Sequence, residues 1–299
     1  MNGRMSRRVV AAIFPGQGSQ KIGMGREFYD TSPAAREQLD RAERALPGLL
    51  DLMWTGPEEE LRLTANQQPA LVAAGVAAYA AYLEAGGEPA ALAAGHSLGE
   101  YTALVAAGSL ALEDAVRLVR ARGRYMQEAV PAGTGAMVAV LKLEAGEVER
   151  VAREVSGGPA GGGLVVEVAN YNAPGQTVLS GSEAGVEAAA ARVKELGGRV
   201  VPLKVSAPFH CSLMRPAAER LAVDLRQTAF AQPAFPVVCN VTAAPLPDAA
   251  DAPELLAAQV TSSVRWVESV RRLAADGEAM AASASHRRRP QGDALTRPT

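Results

Sequence analysis

The chain has 299 residues, 48% of them apolar, and a formal net charge of −2 at pH 7. That composition describes a globular protein with a sizeable core and excludes both a disordered chain and a coat for polyanions, so no nucleic-acid partner is expected. No apolar run is long enough to cross a bilayer, the basic amino terminus is not followed by a cleavable signal, and Cys211 and Cys239 supply neither a disulfide framework nor a metal-ligand set, so the expectation is a cytoplasmic protein with no membrane or metal partner.

Val9 to Phe14 is apolar and β-branched and stops at Pro15-Gly16, which predicts a first buried strand. The loop Pro15-Gly-Gln-Gly-Ser-Gln20 brackets Gln17 with glycines and offers main-chain N–H groups at a strand end, where open α/β sheets hold ligands; a plain glycine-rich turn is the alternative. Ser32 to Gly87 is helical in pattern, with Pro69 expected near the first turn of a helix ending at about Leu83. Pro89 to Gly95 then reads as a strand and Leu98 to Ala107 as a helix, so Gly95-His96-Ser97-Leu98-Gly99 falls on a sharp strand-to-helix turn. Such a turn would hold the Ser97 hydroxyl exposed as a nucleophile, unless it is an ordinary glycine-rich turn.

In the helix predicted over 112–129, Ala115, Leu118, Val119, Arg122 and Met126 share one stripe, whereas Arg117, Arg120 and Arg124 fall on the other side. An inward guanidinium needs an acceptor, either an internal Asp or Glu or the carboxylate of a substrate, and the spacing leaves both open. From Ala136 to Val205 the pattern is strand, helix, strand, strand, helix, strand, with a turn at Asn172-Ala-Pro-Gly175 and a loop at Gly157 to Gly163, the order of a ferredoxin-like unit. The fold class is therefore α/β, with a subdomain at 132–205 set into a larger domain made of 1–131 and 206–276. Helices follow at 216–228, 254–259 and 264–275, with a core strand at Pro236 to Asn240. Residues 277–299 are basic and aperiodic and read as a poorly ordered tail.

A serine needs a base, and the chain has three histidines. His96 adjoins Ser97, where neighbouring side chains of an extended segment point to opposite faces, and His286 lies in the tail. His210, in the loop returning from the subdomain and rigidified by Pro208, is the remaining candidate. No Asp or Glu after Ser97 stands out to orient it, so a backbone or side-chain carbonyl is the expected orienter.

Phe14-Pro-Gly-Gln-Gly-Ser-Gln20, Gly95-His-Ser-Leu-Gly-Glu-Tyr101, Arg120-Ala-Arg-Gly-Arg-Tyr-Met-Gln127, Asn170-Tyr-Asn-Ala-Pro-Gly-Gln176 and Pro208-Phe-His210 together resemble, in order, the motifs of bacterial malonyl-CoA:acyl carrier protein transacylases. The resemblance runs from about Val9 to about Asp276 and implies a hydrolase-like α/β core with a parallel sheet and an inserted ferredoxin-like subdomain. It implies that Ser97 takes malonyl from malonyl-CoA with His210 as base, and that the phosphopantetheine thiol of acyl carrier protein then takes it from Ser97, with no cofactor and as a monomer. It further implies main-chain N–H groups of Gln17 and Leu98 as the oxyanion hole, Arg122 on the malonyl carboxylate and the Gln259 carbonyl as orienter of the histidine. Leu98 and Phe209 resemble the choices of malonyl-selective members. A free-standing acyltransferase of a polyketide assembly line would share every motif; an inactive carrier-binding protein is a further alternative. A serine esterase would leave Arg122 and the Gln17 loop without a use. At the carboxyl end the family's strand and Glu-Val-Gly-Pro-Gly are replaced by Gly277-Glu-Ala-Met-Ala-Ala and an arginine-rich tail, as a shifted reading frame would produce, and the lost strand would leave a sheet edge uncovered.

Overall fold

The computed structural model describes residues 9–131, 133–157, 163–205 and 207–286. Its strands are β1 (Ala11–Phe14), β2 (Leu92–Gly95), β3 (Gly135–Leu141), β4 (Val166–Ala173), β5 (Gln176–Ser182), β6 (Arg199–Pro202) and β7 (Val237–Val238). Its helices are α1 (Arg26–Thr31), α2 (Pro33–Ala45), α3 (Leu49–Thr55), α4 (Glu58–Arg62), α5 (Thr64–Glu84), α6 (Gly99–Ala106), α7 (Leu112–Glu128), α8 (Ala145–Gly157), α9 (Glu183–Glu195), α10 (Arg215–Arg226), α11 (Ala252–Gln259) and α12 (Trp266–His286).

Two sheets organise these elements. One is parallel, in the order β1-β2-β7, with Phe14 beside Gly95 and Ala94 beside Val238. All four residues of β2 are buried, as a central parallel strand covered on both faces must be. Helices α5, α6 and α7 build the main core with Phe14, Leu98, Tyr101 and Met126, while Leu273 of α12 packs on Leu92 and Val238. β1, expected to be buried, is instead an edge strand among the described residues: only Phe14 on it is buried and Ile13 is 52% exposed, because no strand pairs on its outer side. The other sheet is antiparallel, ordered β4-β5-β3-β6, and closes its own core of Val138, Val140, Val148, Leu179 and Val193 beneath α8 and α9. The two sheets are tied together where Val264 donates its N–H to the Ala169 carbonyl and accepts from the Tyr171 N–H.

The element order follows the hydrophobic periods of the sequence, with four differences. Pro69 lies inside α5 rather than near its first turn. A proline there cannot donate to the Ala65 carbonyl one turn back, and that carbonyl instead accepts from Arg120 Nη1 at 3.1 Å. Arg120, expected on the polar side of α7, is thereby recruited to the α5 interface. The return strand β6 ends at Pro202, short of the expected Val205, because proline removes a ladder donor. β4 runs to Ala173, so the turn to β5 is only Pro174-Gly175. Finally, α12 continues to His286, where structureless chain was expected from 277. Its alanines have high helix propensity, and Met280 still packs on the parallel sheet. The expected loop around Gly157 to Gly163 and the tail at 287–299 lie outside the described residues, wholly in the second case and for 158–162 in the first.

Candidate active site

The turn after β2 is built by close backbone approach. A Cβ on Gly95 would stand 1.9 Å from the backbone of Gly99, and a Cβ on Gly99 would stand 2.5 Å from the Phe14 carbonyl oxygen of β1. Only glycine fits at either place. Between them Ser97 adopts φ 53°, a left-handed conformation that a non-glycine residue holds only when its surroundings enforce it. The enforcing contacts come from Asn240, just past β7. Its Oδ1 accepts from the Ser97 N–H at 2.7 Å and its Nδ2 donates to the Gly95 carbonyl at 2.7 Å. Ser97 is not exposed as the sequence suggested; it is 9% accessible, because the His210 loop and Arg122 of α7 close over it.

His210 Nε2 lies 2.8 Å from Ser97 Oγ, and its Nδ1 lies 2.8 Å from the main-chain oxygen of Gln259. A carbonyl only accepts, so Nδ1 carries the proton and Nε2 presents its lone pair to the serine hydroxyl. Burial, with the nearby Arg122 charge second, pushes the His210 pKa down to about 3. The ring is therefore neutral near pH 7, the form a general base requires. Like Ser97 it has a positive φ, 59°, at the junction back from the antiparallel sheet.

Arg122 is 1% exposed. Its Nη1 donates to Gln68 Oε1 at 2.8 Å, and its Nη2 to Ser97 Oγ and Gln259 Oε1, both at 3.0 Å. The internal Asp or Glu that could have explained its position is absent: among the described residues no carboxylate is in ion-pair range, and Nε has no partner. Burial works against the charge, which Tyr101 and Glu100 favour from a distance. A guanidinium held only by neutral amides and a hydroxyl keeps its capacity for an incoming carboxylate.

Gln259, at the end of α11, touches every part of this arrangement. Its main-chain oxygen holds His210, its Oε1 holds Arg122, and its Nε2 donates to the Ser97 carbonyl at 3.0 Å and to Glu100 Oε2 at 2.7 Å. Sequence reasoning missed Gln68, Glu100 and Asn240. A polar residue ending the apolar run Val237-Val-Cys-Asn240 was the one signal available for Asn240, whereas Glu100 reads as an ordinary first-turn acid of α6.

Ser97, His210 and Arg122 line a cavity of about 690 Å³ together with Asn170 and Asn172 of β4, a size that accommodates an extended small ligand. Gln17 and Phe209 also line it, and the Gln17 side chain is tethered to Thr64 Oγ1 at 3.4 Å. Among the described residues neither the Gln17 nor the Leu98 main-chain N–H has a protein acceptor. His96 lines the same cavity instead of facing away: its Nε2 donates to Asn172 Oδ1 at 2.9 Å and its ring packs edge-on against Trp266. Among the described residues no cluster of His, Cys, Asp and Glu could hold a metal, and no helix is long and apolar enough to cross a membrane.

A family model described as an acyl transferase domain matches residues 12–287. The chain is 47% identical over 270 residues to the malonyl CoA-acyl carrier protein transacylase of Bacillus subtilis, spanning 90% of this chain and 84% of the relative. To the protein of the same name from Escherichia coli K12 it is 44% identical over 269 residues, 89% of this chain and 85% of the relative. Among solved structures it resembles the acyl-carrier-protein S-malonyltransferase of Burkholderia pseudomallei with a TM-score of 0.84 at 45% identity, covering 89% of this chain and 86% of that one. A malonyl-transacylase in complex with a type II polyketide acyl carrier protein also gives a TM-score of 0.84, at 43% identity, covering 89% of this chain and 85% of that one.

Proposed function

We infer, from the premise that the chain belongs to the acyl transferase domain family, that it moves malonyl from malonyl-CoA to the phosphopantetheine thiol of acyl carrier protein, supplying fatty acid elongation. Ser97 Oγ attacks the thioester carbonyl while His210 Nε2 takes the hydroxyl proton. The main-chain N–H groups of Gln17 and Leu98 receive the oxyanion, each such donor contributing roughly 10²–10³ in rate. As the tetrahedral intermediate collapses, the C–S bond breaks and the imidazolium returns its proton to the coenzyme A thiolate. The carrier thiol then enters by the reverse sequence: His210 takes its proton, sulfur attacks the malonyl ester, and the proton returns to Ser97 Oγ. Both halves use side chains and the two substrates, without a cofactor.

The observation that carries this reading is the state of Arg122, buried beside Ser97 Oγ with amide partners and, among the described residues, no carboxylate in ion-pair range. A hydrolase of neutral esters has no use for it, whereas a malonyl ester places a free carboxylate within the reach of that fork. Phe209 lines the cavity and Leu98 is buried next to Ser97, and these two are the residues taken to favour malonyl over branched homologues. The finer architecture, a hydrolase-like domain from 1–131 and 206–276 carrying a ferredoxin-like unit at 132–205, is supported by the order β3-α8-β4-β5-α9-β6 and the antiparallel sequence β4-β5-β3-β6. A cytoplasmic site of action fits a reaction between two soluble substrates. Intact mass after mixing with malonyl-CoA tests the function: a malonyl adduct that Ser97→Ala abolishes and carrier protein discharges is expected, and adduct lost to water without transfer would point to an esterase.

A further inference from the structure

Glu100 and Asn240 touch none of the reacting atoms assigned above, yet they are nearly inaccessible, bonded to each other, and joined to Ser97 and to the Gln259 that holds His210. The left-handed turn at Ser97 cannot satisfy its own backbone: β2 ends at Gly95, and α6 begins only at Gly99. The Gly95 carbonyl and the Ser97 N–H would both be buried without partners. Asn240 supplies the missing acceptor and donor at once, with one planar amide spanning the turn at 2.7 Å on each side. Glu100 in turn fixes Asn240, because its Oε2 accepts from the Asn240 N–H at 2.9 Å, and the same oxygen accepts from Gln259 Nε2 at 2.7 Å. Gln259 carries the carbonyl that holds His210. One carboxylate oxygen thus connects the clamp on the nucleophile's backbone with the segment that holds the base.

We propose that Glu100 and Asn240 are positioning residues for acyl transfer: Asn240 holds the Ser97 turn in its left-handed conformation, and Glu100 Oε2 keeps that clamp in register with Gln259, so that Ser97 Oγ and His210 Nε2 meet at hydrogen-bond distance. The assignment rests on the proposed nucleophile and base, and deepens them. What it requires of Glu100 is an acceptor oxygen rather than a charge. Burial raises the Glu100 pKa to about 7, and a proton on its other oxygen leaves both bonds at Oε2 available.

The test is single-turnover acylation of the full chain by malonyl-CoA, followed by intact mass with the folded fraction measured alongside. Glu100→Ala is expected to lower the limiting acylation rate by about 10- to 100-fold, the scale of a misplaced catalytic pair, while the half-saturating malonyl-CoA concentration stays within about threefold. Glu100→Gln, which keeps an acceptor oxygen, is expected to recover the rate to within about threefold. Asn240→Asp has the same shape but turns an oxygen toward the Gly95 carbonyl, and is expected to slow acylation at least about tenfold in folded protein. A purely structural role would lower the folded fraction and leave the rate per folded molecule unchanged, which would overturn the proposal. So would a Glu100→Gln variant as slow as Glu100→Ala, since charge and not register would then be the requirement. If Glu100→Ala does not fold, the Glu100→Gln and Asn240→Asp pair decides alone. Absence of any adduct on the unsubstituted chain would instead remove the malonyl-serine reading itself, and the positioning roles with it.

Discussion

The Nδ1 of His210 lies 2.8 Å from the main-chain oxygen of Gln259. In serine hydrolases with a Ser-His-Asp triad a carboxylate occupies that place and stabilises the imidazolium as it forms. Here a neutral carbonyl fixes the same tautomer without supplying a charge. Arg122, close enough to lower the His210 pKa, disfavours the imidazolium further. In the proposed reaction this pair would supply a base that is already neutral at the working pH, which suits transfer in both directions between two thiols of similar energy.

Removal of the Arg122 guanidinium separates its two possible roles. In Arg122→Ala, acylation by malonyl-CoA is expected to fall by about 100-fold or more, the scale of deleting one partner of a buried charge pair. Acylation by acetyl-CoA, which has no carboxylate to place, is expected to hold or rise. Single-turnover mass spectrometry with each donor reads the ratio; equal losses for the two would mean that Arg122 serves Ser97 Oγ alone and not the substrate.

The Ser97 turn stores strain, and the strain is measurable. Both Ser97→Ala and Ser97→Gly are expected to abolish the adduct, but glycine accepts φ 53° freely and alanine only at a cost, so the glycine variant is expected to be the more stable by about 1 kcal/mol. Chemical denaturation of the two variants checks this, and a more stable alanine variant would mean that the turn relaxes. Gly95→Ala has no such latitude. Its Cβ would stand 1.9 Å from the Gly99 backbone, so loss of soluble folded protein is expected on expression.

What the sequence made legible follows from the range of the interactions concerned. The periods of β1, β2, α7 and the β3-to-β6 unit are local properties of consecutive side chains, and their order survives in the structure. Arg122 could be singled out because one helix alone placed it among Ala115, Leu118 and Met126. The partners of Arg122 could not, since Gln68 and Gln259 come from α5 and α11 and meet it only after the chain has folded. Asn240 sits 143 positions from Ser97, and no pattern within Val237 to Val241 says which backbone its amide will clamp. The burial of Ser97 is equally non-local: a sharp turn projects the side chain, but the cover over it is contributed by α7 and by the His210 loop.

With His210 as the proposed base, its lowered pKa is expected to set the pH dependence of the chemical step. An unperturbed histidine would lose its basic form as pH falls through about 6.5. Because this one is held near 3, the neutral imidazole persists, and the acylation rate at saturating malonyl-CoA is expected to vary by less than about threefold between pH 5 and pH 8. Rapid-quench acylation across that interval is the measurement. A tenfold decline centred near pH 6.5 would show the ring titrating as if solvated.

Stability should respond to pH in two opposed ways, and each can be isolated by one substitution. His210 has its pKa lowered on folding, so it contributes stability that is fully present above about pH 6.5 and lost as pH falls toward about 3, where the unfolded chain binds a proton that the folded chain refuses. Glu100 has its pKa raised from 4.5 to about 7, so its contribution is fully present below about pH 4.5 and lost as pH rises through about 7. In His210→Gln the acid-side decline is removed, and its melting temperature relative to the unsubstituted chain should improve as pH falls from 6.5 to 5. In Glu100→Gln the neutral-side decline is removed, and the same comparison should improve as pH rises from 5 to 7.5. Thermal melts of the three proteins across that range decide both signs: a Glu100→Gln difference that stays constant with pH would mean the carboxyl titrates alike in the folded and unfolded chains, in contradiction to its burial between Asn240 and Gln259.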